Sequence, residues 1–340
     1  MAAGKKYQCI RVAVVLLLFC ALSLSLHFKP YRAGSNFYLA PVDTLNCAIA
    51  IEPGLHSPAS RNVGFNYELL GAFGSSNSSY VRIEPPQESP QCWEDLLSGK
   101  CDILVFNLQD SIPEEYRDRV TASVPVKDND VWITSNDRHE LLSAVNFWFT
   151  AFQTDRFFQE MSRRYFRSYN IEKMIASGVE VTALSPYDDI IKKYSGRIGI
   201  DWRLLSSIVY QESTFAMGLS SSKSAKGLMQ VKESTAARYG IDNLYDPDQN
   251  VKAGTMYFNH LLKMYREEGL DSVNVIKFAL ASYNAGENRI REQREAAAEN
   301  GYNPDDWDSI LTYLNRWDGP TNTYITEILN RYETYKAVID

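Results

Sequence analysis

The sequence predicts two domains, an N-terminal α/β domain and a C-terminal all-α domain, preceded by a targeting segment. The length of 340 residues exceeds one typical domain of roughly 100–200 residues. Within residues 42–170, short apolar runs typical of strands alternate with runs of helical spacing. Within residues 185–340, apolar residues recur at helical spacing and the joins are short. A polar linker at residues 171–184 separates the two domains.

The targeting segment comprises residues 1–28. Three basic residues among the first eleven precede Val12–Leu26, a run of 15 residues without a charge. This run is shorter than the roughly 20 residues of a typical membrane span, so a signal peptide and a signal anchor both fit it. We favour an uncleaved anchor that contacts the membrane through residues 9–26. The positive charge before it directs the rest of the chain out of the cytoplasm.

In the α/β domain, predicted strands alternate with predicted helices, and such alternation is typical of a parallel sheet. The strands are predicted at residues 45–51, 80–83, 102–106 and 131–134. The helices are predicted at residues 67–73, 92–97, 140–150 and 154–166.

The all-α domain opens with a helix start signal, Ser185 as N-cap followed by Pro186 at the first helical position. Helices are predicted at residues 186–196, 201–213, 233–239, 248–268, 272–284, 287–299, 305–316 and 321–337. The lengths of these helices and the short joins between them predict a small, closely packed helical domain.

The composition argues against several kinds of site. The formal net charge of −7 argues against a nucleic-acid partner, because proteins that bind nucleic acid concentrate Lys and Arg. The four histidines are scattered without ligand spacing, so no metal site is predicted. Five cysteines are too few for a disulfide framework in a chain of this length. A Cys92–Cys101 disulfide is one alternative, and we prefer buried free thiols.

Glu212 is the candidate catalytic residue. Asp201 is predicted to cap a helix on which Leu205, Ile208 and Glu212 lie on one stripe. A carboxyl group at the end of an apolar stripe is removed from water, which favours its neutral form and raises its pKa. A general acid that works near neutral pH needs such a pKa.

Two downstream segments add side chains that suit a sugar. Gly227 lets the backbone approach a ligand closely, and Met229 and Gln230 offer an apolar contact and an amide. Tyr283 and Asn284 follow at the end of a predicted core helix, where Gly286 is typical of a helix stop. Tyrosines and amides around one protonated carboxyl group match the apolar faces and hydroxyl rim of a sugar ring.

These segments resemble the lytic transglycosylases of the soluble-lytic-transglycosylase type, whose catalytic domain is similar to goose-type lysozyme. The resemblance implies a lysozyme-like fold for residues 185–340. The residues that match the family's ordered motifs are Glu212, Ser213 and Phe215; Ser221, Ala225 and Gly227–Gln230; Asn250, Gly254 and Tyr257; and Ala281 and Tyr283–Gly286.

The chain departs from the family pattern in two places. Ser224 replaces a glycine of the second motif. In the last motif Thr321 and Tyr324 fit, but Ile325 replaces a valine and Pro320 stands where the family has a glutamate. We expect the fold to be unaffected and one substrate contact to be lost.

The resemblance implies cleavage of the β-1,4 bond between N-acetylmuramic acid and N-acetylglucosamine in peptidoglycan, without a cofactor. Glu212 first protonates the leaving oxygen and then, as a carboxylate, deprotonates the muramyl 6-hydroxyl, which leaves a 1,6-anhydro end. Most glycosidases pair two carboxylates, whereas the other matched motifs contain no second acid. The lack of a second acid favours the transglycosylase reaction over hydrolysis. Glu233 is predicted in the first turn of a helix, and Glu287 is predicted to be solvated.

The resemblance also implies which residues bind the glycan. Ser213 and Ser221 orient Glu212 or the sugar, and Met229 forms an apolar wall. The cleft is lined by Gln230, Tyr283, Asn284 and Tyr324.

The α/β domain resembles one lobe of a periplasmic solute-binding domain, which membrane-bound lytic transglycosylases of the F type carry ahead of the catalytic domain. The resemblance is carried by Leu97–Ile103 and Leu141–Asn146. Residues 108–131 are too few for a second lobe, so a clamp that closes around a small ligand is not expected. We predict a docking or regulatory module for a muropeptide or a protein partner, with a spacer as the alternative.

The predicted location is the bacterial cell envelope, with the catalytic domain in the periplasm and the anchor in the inner or the outer membrane. Two other functions remain open. Pro320 and the single lobe also fit a non-catalytic peptidoglycan-binding or sensing protein. A hydrolytic muramidase is the third alternative.

Overall fold

The computed structural model describes residues 44–50, 59–84, 91–107, 112–127, 129–166, 169, 171–178, 180–218, 224–317 and 319–340. All of them belong to one unit, Val42–Asp340. The predicted targeting segment, with its membrane contact at residues 9–26, lies outside the described residues. Among the described helices, none combines the length and the apolar character that crossing a bilayer requires.

A five-stranded sheet organises the N-terminal part. Its strands are β1 (Thr44–Ile49), β2 (Tyr80–Glu84), β3 (Ile103–Asn107), β4 (Val120–Ala122) and β5 (Asp130–Ser135). The strand order is β2-β1-β3-β5-β4. β1 pairs in parallel with β2 and β3, whereas β5 runs antiparallel to both β3 and β4.

The sheet is therefore mixed, and the predicted all-parallel sheet is wrong. The sequence pattern missed β4, which has only three residues. The connection from β4 to β5 is closed by hydrogen bonds between Val126 and Asp130 and between Asp130 and Lys127. A return this short makes the two strands antiparallel, because a parallel pair needs a crossover of a dozen residues or more.

Helices cover both faces of the sheet, which confirms the α/β class. They are α1 (Ala59–Ser76), α2 (Gln91–Leu97), α3 (Glu114–Arg117), α4 (His139–Phe152) and α5 (Arg156–Phe166). On one face, the Phe73 ring of α1 lies 5.7 Å from Trp132 of β5. On the other, Trp93 of α2 stacks on Tyr116 of α3 at 5.6 Å.

The described thiols are buried and free, as preferred from the sequence. Cys47, Cys92 and Cys101 form no disulfide. Burial raises the pKa of each thiol, that of Cys101 to about 12. The neutral thiol is therefore the stable form of all three groups.

The C-terminal part is helical, and all eight predicted helices are confirmed to within three residues at each end. They are α7 (Asp188–Ile198), α8 (Trp202–Ser213), α9 (Glu233–Ala237), α10 (Pro247–Glu267), α11 (Ser272–Ala285), α12 (Glu287–Glu299), α13 (Trp307–Leu314) and α14 (Pro320–Val338). The predicted stop at Gly286 is also confirmed, since its φ of 95° ends α11.

The start signal at Ser185 works through a side-chain pair. The Ser185 hydroxyl donates to Asp188 over 2.6 Å and accepts from the Tyr187 amide over 3.0 Å. Asp188 in turn accepts from the Leu184 amide over 2.8 Å. These bonds hold the turn before α7, but the N-cap is Tyr187 and not the predicted Ser185, so the helix begins two residues later than predicted.

The predicted linker at residues 171–184 contains a further helix, α6 (Ile171–Ala176). Ile171, Val181 and Leu184 are buried in one apolar cluster with Tyr335 of α14. The segment is therefore packed onto the last helix of the chain, which restricts its freedom as a hinge.

Candidate active site

Glu212 lies in the last turn of α8 and continues the apolar stripe of that helix. The Asp201 carboxylate accepts a hydrogen bond from the Arg203 amide and caps the helix, as predicted. Leu205 and Ile208 have no exposed surface, whereas Glu212 is partly exposed. The Glu212 side chain therefore lies where the buried face of α8 meets solvent.

Tyr324 binds directly to Glu212 although 112 residues separate them. The Tyr324 hydroxyl donates to Glu212 Oε1 over 2.5 Å. Burial raises the pKa of Glu212 from 4.5 to about 7, although the bond from Tyr324 acts to lower it. Removal from water outweighs the hydrogen bond, so Glu212 exchanges its proton near neutral pH.

Tyr283 lies near the same carboxyl group. Burial is the main cause of the raised pKa of Tyr283, and the negative charge of Glu212 is the second. The Tyr283 hydroxyl donates to the Met229 carbonyl over 2.8 Å. Its ring lies 5.5 Å from that of Tyr257, so an aromatic surface extends away from Glu212.

The segment at residues 225–232 folds as a small hairpin of two short strands, β6 (Ala225–Lys226) and β7 (Val231–Lys232). Gly227 adopts a φ of 74° at its turn. A Cβ at Gly227 would overlap the Asn250 amide, so a side chain is excluded there. The need for a glycine is therefore confirmed, with the Asn250 amide as its close neighbour, and the approach to a ligand stays a prediction.

Asn250, in the first turn of α10, holds this hairpin in place. Its Oδ1 accepts from the Met229 amide over 2.9 Å. Its Nδ2 donates to the carbonyls of Lys226 over 2.9 Å and Leu244 over 2.7 Å. The Asn250 side chain has no exposed surface, so all these bonds form out of water. The motif contained Asn250, but the sequence did not indicate this role.

The Met229 side chain is fully buried, so the prediction that it forms an apolar wall of the cleft is wrong. It packs on Gly254 of α10, where an added Cβ would lie 2.5 Å from the Met229 sulfur. The hairpin turns this side chain inward to α10, and only its backbone carbonyl reaches Tyr283. Met229 therefore positions the site instead of offering a surface.

Gln230 and Asn284 lie at the edge of the same region. Gln230 Nε2 donates to the Gly227 carbonyl over 2.9 Å, and its φ is 46°. Asn284 is exposed, and its Oδ1 accepts from the Thr321 hydroxyl over 3.4 Å. Their contacts with a sugar stay predictions.

The two predicted serines differ in what can be said of them. Ser213 is buried, and its hydroxyl donates to the Val209 carbonyl over 3.1 Å within α8. The Ser213 hydroxyl donates within α8 and not to Glu212. The expected orientation of Glu212 by Ser213 is therefore not seen. Ser221 lies outside the described residues.

Two acids named from the sequence have partners of their own. Glu233 begins α9 as predicted and accepts from Lys226 over 2.6 Å. Glu287 is not simply solvated. One of its carboxylate oxygens is buried, and that oxygen lies 3.5 Å from His260 Nε2.

A third acid, Glu327, was missed by the sequence reasoning. Gln211 Nε2 donates to Glu327 Oε2 over 2.7 Å, and Arg331 donates to Gln211 Oε1 over 2.9 Å. Glu327 follows Tyr324 by three residues on α14, so the two share a helix face. That spacing, together with the motif at Tyr324, was the signal that could have indicated it.

The chain is similar to known proteins over part of its length. Residues 189–305 match the family model described as the transglycosylase SLT domain. We call residues 189–305 the SLT domain after the family model that they match. The matched residues of the SLT domain include Glu212, the hairpin and Tyr283, whereas Tyr324 lies beyond them.

Two curated relatives of the chain share one name. It is 28% identical over 188 residues to membrane-bound lytic murein transglycosylase F of Pseudomonas fluorescens (strain Pf0-1), covering 54% of this chain and 38% of that protein. It is 39% identical over 126 residues to the protein of that name from Histophilus somni (strain 129Pt), covering 37% and 26%. The chain thus spans well under half the length of these relatives.

Among solved structures, the 70 kDa soluble lytic transglycosylase of Escherichia coli is similar at a TM-score of 0.38 and 22% identity. The match covers 58% of this chain and 34% of that one. This similarity is too low to transfer residue roles to the SLT domain.

Proposed function

We propose that this protein is a peptidoglycan lytic transglycosylase that cleaves the β-1,4 bond between N-acetylmuramic acid and N-acetylglucosamine. The observation that carries the proposal is Glu212, a carboxyl group with a pKa of about 7 at the end of a buried helix face. The SLT domain match and the names of the relatives support the substrate class.

Glu212 acts as the general acid and then as the general base. Its proton passes to the glycosidic oxygen as the bond from that oxygen to C1 of the muramyl residue breaks. The Glu212 carboxylate then removes the proton of the muramyl 6-hydroxyl, whose oxygen bonds to C1. The product is a 1,6-anhydro end, and Glu212 is protonated again without consumption of water.

Tyr324 stabilises the charged form of Glu212, and two further tyrosines offer surfaces for the sugar. The Tyr324 hydroxyl stabilises the carboxylate that remains after proton donation, because a hydrogen bond to a charged group is stronger than one to a neutral group. Tyr283 and Tyr257 offer ring faces next to the acid on which sugar rings can pack.

A hydrolytic muramidase is the second candidate, and Glu327 is the observation that favours it. Hydrolysis commonly uses a second carboxylate to activate water. Glu327 is exposed and lies on the helix that carries Tyr324.

The deciding experiment is mass spectrometry of muropeptides that the full chain releases from purified sacculi. Products lighter by one water than hydrolysis products support the transglycosylase, and reducing ends support the muramidase. Sacculi that bind the protein without release of products would favour a non-catalytic binding protein.

Glu212→Gln is expected to lower product release by at least about 100-fold, because the amide cannot donate a proton of suitable acidity. Glu295→Gln is the matched control, since Glu295 is an exposed acid of α12 paired with Arg291. Its activity should equal that of the wild type. Activity retained by Glu212→Gln would exclude the mechanism.

We also propose that the chain is held at the membrane through residues 9–26 with the SLT domain in the periplasm. The relatives' name, which describes them as membrane-bound, supports the membrane part of this proposal. The likeness of the α/β part to one solute-binding lobe, and a muropeptide or protein partner for it, remain proposals.

A further inference from the structure

Two hydrogen bonds connect the α/β part to the SLT domain close to the start of α10. The Tyr67 hydroxyl of α1 donates to Asp246 Oδ2 over 2.7 Å. The Asn243 side chain donates to the Ile83 carbonyl of β2 over 2.8 Å. In the SLT domain, the acceptor Asp246 and the donor Asn243 both belong to the short loop at residues 243–246.

Asp246 is the N-cap of α10. Its Oδ1 accepts from the amides of Asp248 over 2.8 Å and Gln249 over 3.2 Å. Its other oxygen, Oδ2, accepts the hydrogen bond from Tyr67. A bond from Tyr67 therefore orients the carboxylate that fixes the first turn of α10.

That first turn carries Asn250, the residue that holds the hairpin. Asn250 donates to the Leu244 carbonyl, and Leu244 lies in the loop between Asn243 and Asp246. It also binds the backbone of Lys226 and Met229. A shift of the loop is therefore transmitted to the hairpin through one buried amide.

The hairpin in turn reaches the acid. The Met229 carbonyl accepts from Tyr283, whose ring lies beside Glu212. An unbroken series of hydrogen bonds thus joins Tyr67 to the neighbour of Glu212, through Asp246, α10, Asn250 and Met229.

We propose that Tyr67 is a positioning residue: through Asp246 and Asn250 it holds the 225–232 hairpin, and with it Tyr283, in register with Glu212. The α/β part is then a structural support of the active site as well as a neighbour of it. The kinetic part of this inference rests on the proposed function, whereas its structural part does not.

The test uses two substitutions in the full chain that each remove one bond across the junction. Tyr67→Phe removes the hydroxyl and leaves the ring. Asn243→Asp removes the donor to Ile83 and keeps the oxygen that accepts from the Tyr245 amide. Tyr302→Phe is the matched control, since Tyr302 is an exposed tyrosine far along the chain from this junction.

The first readout is amide hydrogen exchange followed by mass spectrometry. Both variants should exchange the amides of residues 225–231 about fivefold faster than the wild type, because one hydrogen bond stabilises by about this factor. Exchange within α12 should be unchanged. Wild-type exchange at 225–231, or equal acceleration throughout the SLT domain, would overturn the proposal.

The second readout is turnover of sacculi. Tyr67→Phe should lower the maximal rate about three- to tenfold, with a melting temperature lower by no more than the few degrees that the loss of one hydrogen bond causes. A rate equal to that of Tyr302→Phe would contradict a positioning role. If the wild type itself releases no product, the proposed function fails, and hydrogen exchange still decides whether Tyr67 holds the hairpin.

Discussion

Two opposing effects act on the Glu212 carboxyl group. Burial at the end of α8 favours the neutral acid, and the hydrogen bond from Tyr324 favours the carboxylate. Their result is a pKa of about 7, which leaves both forms available near neutral pH. One group that donates a proton and then accepts one needs this balance, because a far lower pKa leaves little of the protonated acid at neutral pH and a far higher pKa makes proton donation unfavourable.

Tyr324→Phe should shift this balance in a defined direction. The hydroxyl bond lowers the pKa of Glu212, so its removal raises that pKa. Activity that depends on protonated Glu212 should then persist to higher pH than in the wild type, whose rate is expected to fall as pH rises through about 7. The maximal rate should be roughly tenfold lower, since the carboxylate formed during the reaction loses a strong hydrogen bond.

The measurement is the rate of muropeptide release between acid and alkaline pH. Tyr313→Phe is the control, because the Tyr313 hydroxyl only accepts a 3.5 Å bond from Asn300 in its described contacts. A falling limb displaced to lower pH in Tyr324→Phe would show that the bond does not stabilise the carboxylate.

At the scale of elements, the site depends on the close approach of the hairpin to α10. Gly227 and Gly254 both face side chains across this contact, Asn250 and Met229 respectively. A helix interior normally disfavours glycine by about 1 kcal/mol relative to alanine. A glycine at position 254 therefore lowers the stability of α10 but leaves room for the Met229 side chain.

Gly254→Ala should destabilise the protein by roughly 1–3 kcal/mol, because the new Cβ would lie 2.6 Å from Met229 Cβ and overpacking outweighs the helix gain. Gly196→Ala in α7 is the control, since a Cβ added at Gly196 would meet open space. It should stabilise by about 1 kcal/mol. Urea unfolding measures the change in the free energy of unfolding for both variants. Changes of the same sign in the two variants would contradict the packing explanation.

At the scale of the whole molecule, α1 joins the two parts of the chain. Besides the Tyr67 bond, Gly64 of α1 contacts the Tyr187 hydroxyl, just before α7. Tyr187 is 2% exposed, and its hydroxyl has no hydrogen-bond partner among the described residues. The Tyr187 ring also packs edge-on against Tyr165 of α5 at 5.8 Å. The junction is thus a tightly packed aromatic contact in which a glycine leaves room for a phenol.

Gly64→Ala should lower the free energy of unfolding by about 1–3 kcal/mol, because its Cβ would overlap the Tyr187 hydroxyl. Gly71→Ala in the same helix has open space and should stabilise by about 1 kcal/mol. The double variant Gly64→Ala/Tyr187→Phe should recover much of the loss, since it removes the overlapping atom. Thermal unfolding of the four proteins tests this, and no recovery in the double variant would place the strain elsewhere.

The sequence by itself determined what depends on neighbours along the chain. The period of apolar residues and the start signals at Ser185 and Asp201 predicted the helices, and the stripe ending at Glu212 predicted the candidate acid with its raised pKa. These features follow from spacing on one helix, so no distant residue is needed to infer them.

Only the tertiary structure decided what depends on distant residues. It decided that β5 pairs antiparallel, that Met229 points into the core, and that Tyr324 lies on Glu212. It also decided that Tyr67 meets Asp246 across 179 residues of chain. Strand direction and side-chain partners across such distances depend on how whole elements pack, and hydrophobic periodicity carries no information about that choice.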